Sequence, residues 1–259
     1  MNLENEDEVA KVLQDSILYE DDDVLVLNKP IDIAVHGDGK RKEYTVSDWL
    51  VSYAPNVQSV GESQFVPNTT IEIQRSGVVH RLDRATSGVL LLVKNQAAHA
   101  HCKAQFQDRS VKKVYRAFIY GQMRDRYGTI AKAIGRSAKD WRKRSAEKGA
   151  KGTLREAQTD WEVLKTGIYQ GERFSHLALK PKTGRMHQLR VHLRSMNRPI
   201  VGDELYADMY ISTSNNLEFT RLALHAFELE IMLPTGEVKK FTAPEPDSFV
   251  VAAKNIAED

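Results

Sequence analysis

The chain has 259 residues, 41% hydrophobic and 28% charged, enough to bury a sizeable core with roughly three quarters of the unfolded surface removed on folding. No apolar run approaches the ~20 residues that span a bilayer, the first seven residues are acidic rather than signal-like, and the only cysteine, Cys102, cannot form an internal disulfide; a membrane protein is excluded and a cytoplasmic setting is expected. The net charge of +2 hides a segregation of sign, because residues 1–23 carry nine acidic groups against Lys11 alone, a local charge of −8, while residues 132–156 carry a local charge of +6.

The leader, through about Glu20, has Val9, Val12 and Leu13 spaced for a short amphipathic helix. Val24 to Leu27 reads as a strand closed by Asn28, Lys29 and Pro30. Thr45 and Asp48 resemble an N-cap sequence for a helix through Trp49, Leu50 and Tyr53. Residues 55–76 have few periodic apolar positions and read as mostly loop. Val89 to Val93 is an apolar run of strand length, after which Asn95 caps a helix carrying Ala98, Cys102 and Phe106 and ending near Asp108. In that helix Cys102 reads as a small packing residue.

Val114 to Tyr120 reads as a strand. The basic stretch 132–156, with Gly135, Gly149 and Gly152 and few large apolar residues, reads as an exposed excursion from the core. Strands are expected at 158–164, 174–180, 222–230 and 238–242, with a helix through Leu189, Leu193 and Met196 stopped by Asn197 and Pro199. Strands interrupted by a few helices without regular alternation predict an α+β fold with a mixed, mostly antiparallel sheet flanked by helices and loops.

Two polar clusters carry the chemistry. In the first, His80, Arg81, Leu82, Asp83, Arg84, Ala85, Thr86, Ser87 and Gly88 run directly into the apolar strand, so Asp83 should be held at the lip of a core element. Arg81 and Arg84 would favour its ionised form, giving a nucleophile or base. A structural reading stands beside this one, because an aspartate before the turn formers Thr86, Ser87 and Gly88 commonly bonds local amides. In the second, Lys182 to Arg190 leads into Val191, His192, Leu193 and Arg194. His187 and His192 are five apart, not the four that align two ligands on a helix face, so no metal site and no zinc hydrolase is expected. No phosphate loop or dinucleotide fingerprint appears, and no cofactor is called for.

The run from His80 to Gly88 resembles the H-R-L-D-x-x-T-S-G signature of the RluA family of pseudouridine synthases. Lys113, Val114, Tyr115, Arg116 and Ala117 resemble the family's second motif, and Gly184 to His192 its third, G-R-x-H-Q-L-R-x-H. Asn28-Lys29-Pro30 and Leu224-His225-Ala226 fit the same pattern. The resemblance covers residues 18–246 as a catalytic domain, with an acidic extension at 1–17, the basic excursion at 132–156 and a tail at 247–259.

The resemblance implies isomerisation of selected uridines in RNA: the N1 to C1′ bond breaks, the base turns while bound, and C5 rejoins C1′. It implies that Asp83 is the essential carboxylate, acting by attack on C1′ or by removal of the C2′ proton. Arg190 is implied to pair with Asp83, Tyr115 to stack on the target base, and Arg81 to enter the helix vacated by the flipped uridine. His80, Arg84, Arg185, His187 and Lys113 are further expected RNA contacts in the motifs. The family often carries an N-terminal S4 RNA-binding module, for which there are too few residues before Val24, so Arg142, Lys143 and Arg144 of the excursion are expected to add phosphate contacts. Ribosomal RNA is the expected substrate and tRNA the alternative; a non-catalytic RNA-binding protein is the rival class. A monomer is expected.

Overall fold

The computed structural model describes residues 5–39, 43–65, 69–70, 72–147, 150–207, 210 and 215–257. Glu4 of the acidic leader and Lys148 and Gly149 of the basic stretch lie outside the described residues. The chain falls into two compact units, each discontinuous in sequence: Met1–Lys112 with Glu228–Ala243, and Lys113–Phe227 with Pro244–Asp259. No described helix is long and apolar enough to cross a membrane.

The first unit opens with α1 (Glu6–Asp15), whose Asn5 cap accepts the Glu8 amide while Glu6, Asp7 and Glu8 complement the positive end of the helix. The expected helix is therefore real but stops at Asp15, and it docks through buried Val9 and Leu13. The rest of the leader forms β1 (Ile17–Glu20), which pairs antiparallel with β2 (Val24–Lys29). The Asp21 carboxylate accepts the Asp23 and Val24 amides and closes the turn between them. Lys94 donates to Glu20, and Asn95 to Asp23. Much of the leader's negative charge is thus spent inside its own unit.

Strand β2 runs two residues beyond the expected end, because Asn28 and Lys29 still pair with Val89 and Gly88 of β5 (Ser87–Val93) and only Pro30 lacks the ladder N–H. Every residue of β5 is buried. The predicted helices are α2 (Val46–Tyr53), with a reciprocal Thr45–Asp48 capping box, and α3 (Gln96–Asp108), capped by Asn95. Cys102 is fully buried on α3, and burial pushes its thiol up to about 11. The stretch expected as loop holds a 3₁₀ turn at Pro55–Ser59 and a hairpin of β3 (Ser63–Phe65) and β4 (Glu72–Gln74). Mostly exposed on both faces, the hairpin carries no hydrophobic alternation to betray it.

In the second unit, β6 (Lys112–Tyr120, from Lys113 on) pairs antiparallel with β12 (Glu172–Pro181), which pairs with β11 (Gln158–Tyr169), which pairs with β7 (Tyr127–Ala131). Gly128 leaves room for the indole of Trp161, where a Cβ would come within 2.6 Å of the ring. The basic excursion builds its own small antiparallel sheet from β8 (Ile134–Arg136), β9 (Arg144–Ser145) and β10 (Lys151–Arg155). It is anchored by Ile134, which packs with Ala157, Val191 and Tyr206. Helix α4 (Gln188–Arg194) follows, and the strand β13 (Leu224–Met232) pairs over residues 228–232 with β14 (Val238–Thr242) in the first unit. The last helix, α5 (Asp247–Asn255), buries Phe249 against Phe118 and Phe219 in the second unit. Every strand pair described here is antiparallel, and the fold is the α+β class expected.

Candidate active site

The first unit builds the loop that carries Asp83. The Thr86 amide donates to the Asp83 carbonyl at 3.0 Å, a turn that ends at the start of β5 and leaves Asp83 only partly buried. A fully buried ammonium braces this turn: Lys29 Nζ donates to the carbonyls of Pro30, Ile33 and Arg84 at 2.6, 2.9 and 3.1 Å. The Asp32 amide returns a bond to the Arg84 carbonyl, with Asp32 at φ 66. A buried charge is tolerated only when its donors are satisfied, so the short Asn28-Lys29-Pro30 element is the staple that holds the residue after Asp83 in place.

The charged neighbours of Asp83 have partners of their own. Arg84 pairs with Glu43 and donates to the Asp32 carbonyl at 2.9 Å, so it helps hold the loop. Arg81 is exposed, and its Nη1 donates to Nε2 of His36 at 3.2 Å. Because an arginine offers only donors, His36 must accept through Nε2, and its Nδ1 proton then goes to the Gly37 carbonyl at 2.7 Å. Burial holds the His36 pKa down to about 4, helped by the Arg75 and Arg81 cations and opposed by the Gly37 carbonyl and Asp38. Neutral His36 is thus a fixed acceptor that aims Arg81. His80, expected on the RNA, is built into the scaffold: its Nε2 accepts the Leu91 amide of β5 at 2.9 Å, and its ring stacks on Phe106 at 4.5 Å.

The second unit carries the other two motifs. Tyr115 lies on β6 opposite Leu179 and is partly buried. Two residues before it, the Lys113 ammonium is pushed below its ordinary range by burial. At the start of α4, Gln188 bonds in four directions: its Oε1 accepts from the Thr183 hydroxyl and Arg185 amide, and its Nε2 donates to the Gln158 carbonyl and Thr159 hydroxyl. The Thr159 hydroxyl donates a hydrogen bond to Nδ1 of His192, whose Nε2–H reaches the Lys132 carbonyl at 3.0 Å. His192 is a satisfied core histidine. Among the described residues no group of three or more His, Cys, Asp or Glu is placed to hold a metal ion.

Arg190 is buried, and Asp203 holds it by two parallel bonds, Nε to Oδ2 at 2.8 Å and Nη2 to Oδ1 at 2.7 Å. Its guanidinium also lies 5.1 Å above the ring of Tyr206. The Tyr206 hydroxyl accepts the Arg144 amide at 2.8 Å and sits 2.9 Å from Nδ1 of His187. His187 adopts φ 57, a left-handed conformation costly for a residue with a Cβ, and its imidazole is tied to the Tyr206 hydroxyl. Asp203 and Tyr206 therefore connect three expected site residues, Arg144, His187 and Arg190. Neither belongs to a motif noted in the sequence, and their own local signal, an acid and an aromatic in a turn, is too common to mark them. Arg185 Nε donates to the Glu156 carbonyl. In the excursion Arg142 is paired with Asp140, while Lys143 donates its amide to the Asp140 carbonyl.

Comparison with known proteins identifies the family. The profile of a family described as RNA pseudouridylate synthase matches residues 23–195. "Ribosomal large subunit pseudouridine synthase D" of Borreliella burgdorferi is 37% identical over 241 residues, covering 93% of this chain and 68% of that protein. The protein of the same name from Vibrio vulnificus is 33% identical, covering 99% of this chain and 76% of its own length. Among solved structures, human RNA pseudouridylate synthase domain containing 1 superposes with a TM-score of 0.68 at 32% identity, covering 89% of this chain and 83% of that one.

Proposed function

Because this chain belongs to the RNA pseudouridylate synthase family, we propose that it isomerises selected uridines of ribosomal RNA to pseudouridine, with Asp83 as the carboxylate that attacks C1′ or removes the C2′ proton. The observation that carries the assignment is the bracing of the Asp83 loop, where a buried ammonium spends three bonds on local carbonyls to hold an accessible carboxylate at a strand end. The substrate class follows from relatives named as ribosomal large subunit synthases.

In this reading Arg190, oriented by Asp203, is the counter-ion of Asp83 that the motifs imply, and Tyr115 is the plate for the extruded base. Arg81 replaces the flipped uridine in the RNA helix, with His36 setting its direction. Arg185, His187, Lys113 and the excursion cations Lys143 and Arg144 add RNA contacts. The reaction is an isomerisation without net oxidation or hydrolysis, so no external cofactor is required, and the enzyme acts as a cytoplasmic monomer.

The test is tritium release from RNA labelled at uridine C5, with pseudouridine mapping in total RNA from a strain lacking the gene. Wild-type protein is expected to release tritium and Asp83→Asn to release none, with the lost sites in large-subunit rRNA. Full pseudouridine formation by Asp83→Asn overturns the catalytic assignment; sites lost only from tRNA overturn the substrate.

A further inference from the structure

The basic excursion carries one feature that phosphate binding does not explain. Trp141 is 79% exposed at its tip, whereas the other two tryptophans, Trp49 and Trp161, are 2% and 5% exposed. Exposing most of a large indole is unfavourable by its apolar area, so its placement calls for a reason.

The turn that presents Trp141 is braced throughout. The Lys143 amide donates to the Asp140 carbonyl at 3.0 Å, making Trp141 and Arg142 the two central residues of a β-turn, and the Ser137 amide donates to the Lys143 carbonyl at 3.1 Å. Asp140 Oδ1 accepts the Arg142 amide at 2.9 Å, and the same carboxylate takes the Arg142 guanidinium through Nη2 at 2.8 Å. The Ser137 hydroxyl accepts the Lys139 and Asp140 amides at 3.2 and 3.3 Å. The Arg142 guanidinium holds the Asp140 carboxyl down at about 2, so the brace stays charged through the physiological range.

Around the indole the chain is cationic, with Arg136, Lys139, Lys151 and Arg155 exposed on the same small sheet and its connection. An aromatic on a pre-ordered turn of a small sheet that carries exposed cations is the arrangement that binds unpaired nucleotides: cations track the phosphates and a base stacks on the ring. Exposed apolar surface for a protein partner would call for depletion of charge around the aromatic, which is the opposite of what the excursion shows.

We propose that Trp141 is a stacking platform for an unpaired base of the substrate RNA, distinct from the target uridine. The inference rests on the reading of this chain as an RNA-modifying enzyme and adds to it a residue that selects substrates with a single-stranded segment near the modified site. Rigidity matters here, because a turn already held by Asp140 and Ser137 loses little further freedom when a base is stacked on it.

The distribution of tryptophans makes the test direct, since Trp141 alone should supply the long-wavelength part of the intrinsic emission. The full-length protein is titrated with a twelve-residue oligouridylate, with inorganic polyphosphate as the control for charge alone. Oligouridylate is expected to quench the long-wavelength emission and polyphosphate to leave it nearly unchanged. Trp141→Leu is expected to lose that emission, keep its thermal midpoint, bind oligouridylate roughly tenfold more weakly, and keep the slope of log Kd against log salt, because no phosphate contact is removed. Trp141→Tyr should restore most of the affinity. Binding by Trp141→Leu equal to wild type, or wild-type binding without quenching, overturns the proposal; so does a Trp141-dependent association with ribosomal proteins in place of RNA. Tritium release by the wild type separates the two readings: its absence with quenching intact defeats the enzymatic reading, and its presence with no quenching defeats the platform.

Discussion

Arg190 and Asp203 form a buried two-point ion pair thirteen residues apart, with bonds of 2.8 and 2.7 Å, and the same Asp203 Oδ1 accepts the backbone amides of Leu205 and Tyr206. One carboxylate therefore orients the guanidinium of the third motif and closes the turn that carries Tyr206. Removing one member of such a pair leaves a charge in a place where water cannot compensate it.

Asp203→Asn keeps the shape but removes that compensation. It should destabilise the protein by about 3 kcal/mol, the usual cost of breaking a buried pair, read as a lower urea midpoint. If Asp203 also positions Arg190 for catalysis, kcat should fall at temperatures where the variant is still folded, with little change in KM for RNA. A variant that is less stable but fully active when folded would confine Asp203 to architecture.

Lys29→Met retains the length of the buried stem and loses all three bonds to the carbonyls of Pro30, Ile33 and Arg84. The Arg84 carbonyl keeps the Asp32 amide, but the Pro30 and Ile33 carbonyls lose the ammonium, at about 1–3 kcal/mol each before relaxation, so a loss on the order of 3 kcal/mol is expected. Because one of these carbonyls belongs to Arg84, the residue after Asp83, tritium release should fall by more than the unfolded fraction accounts for, a comparison made by assaying well below the melting temperature.

Low pH should weaken the protein through two of its histidines, one buried and one partly buried. His36 and His176 are both held down to about 4, each by burial first, whereas an unfolded histidine titrates near 6.5. Between pH 6.5 and 4 the unfolded chain binds protons that the folded chain refuses, so stability is full above pH 6.5 and falls as pH drops through that window. Thermal midpoints measured from pH 7 to 4.5 should decline, and His176→Gln should flatten the decline. For Arg81, protonation of His36 removes its acceptor. His36→Ala should then raise KM for RNA, while His36→Gln, which still offers an oxygen, should recover part of it.

Tyr206→Phe deletes only the hydroxyl shared by the Arg144 amide and His187. The ring beneath Arg190 stays. The expected cost is about 1–2 kcal/mol, with faster hydrogen exchange at the Arg144 amide as β9 loses its anchor. Unchanged exchange there would show that the excursion is held by Ile134 packing alone.

Much of this protein is legible along the chain because local physics decides it. Thr45 with Asp48, and Asn95 three residues before Ala98, satisfy the first amides of their helices from within a few residues. The continuous apolar run after Asp83 could be buried only as a central strand, and β5 is buried at every position. Family motifs likewise sit in short contiguous runs, so Asp83, Tyr115 and Arg190 could be singled out from residue identity alone.

Tertiary structure decided which partners those residues take. Lys29 reaches the Arg84 carbonyl across 55 positions, Arg81 reaches His36 across 45, and Tyr206 reaches Arg144 across 62. Such pairings depend on how strands align and on which polar groups are deprived of water together, and neither is written in a local pattern. The sequence by itself therefore determined most of the elements and the family, and it marked Asp83 as the carboxylate proposed to react. Folding determined that His36 aims Arg81, that Asp203 holds Arg190, and that a basic stretch is a braced sheet with an indole at its tip.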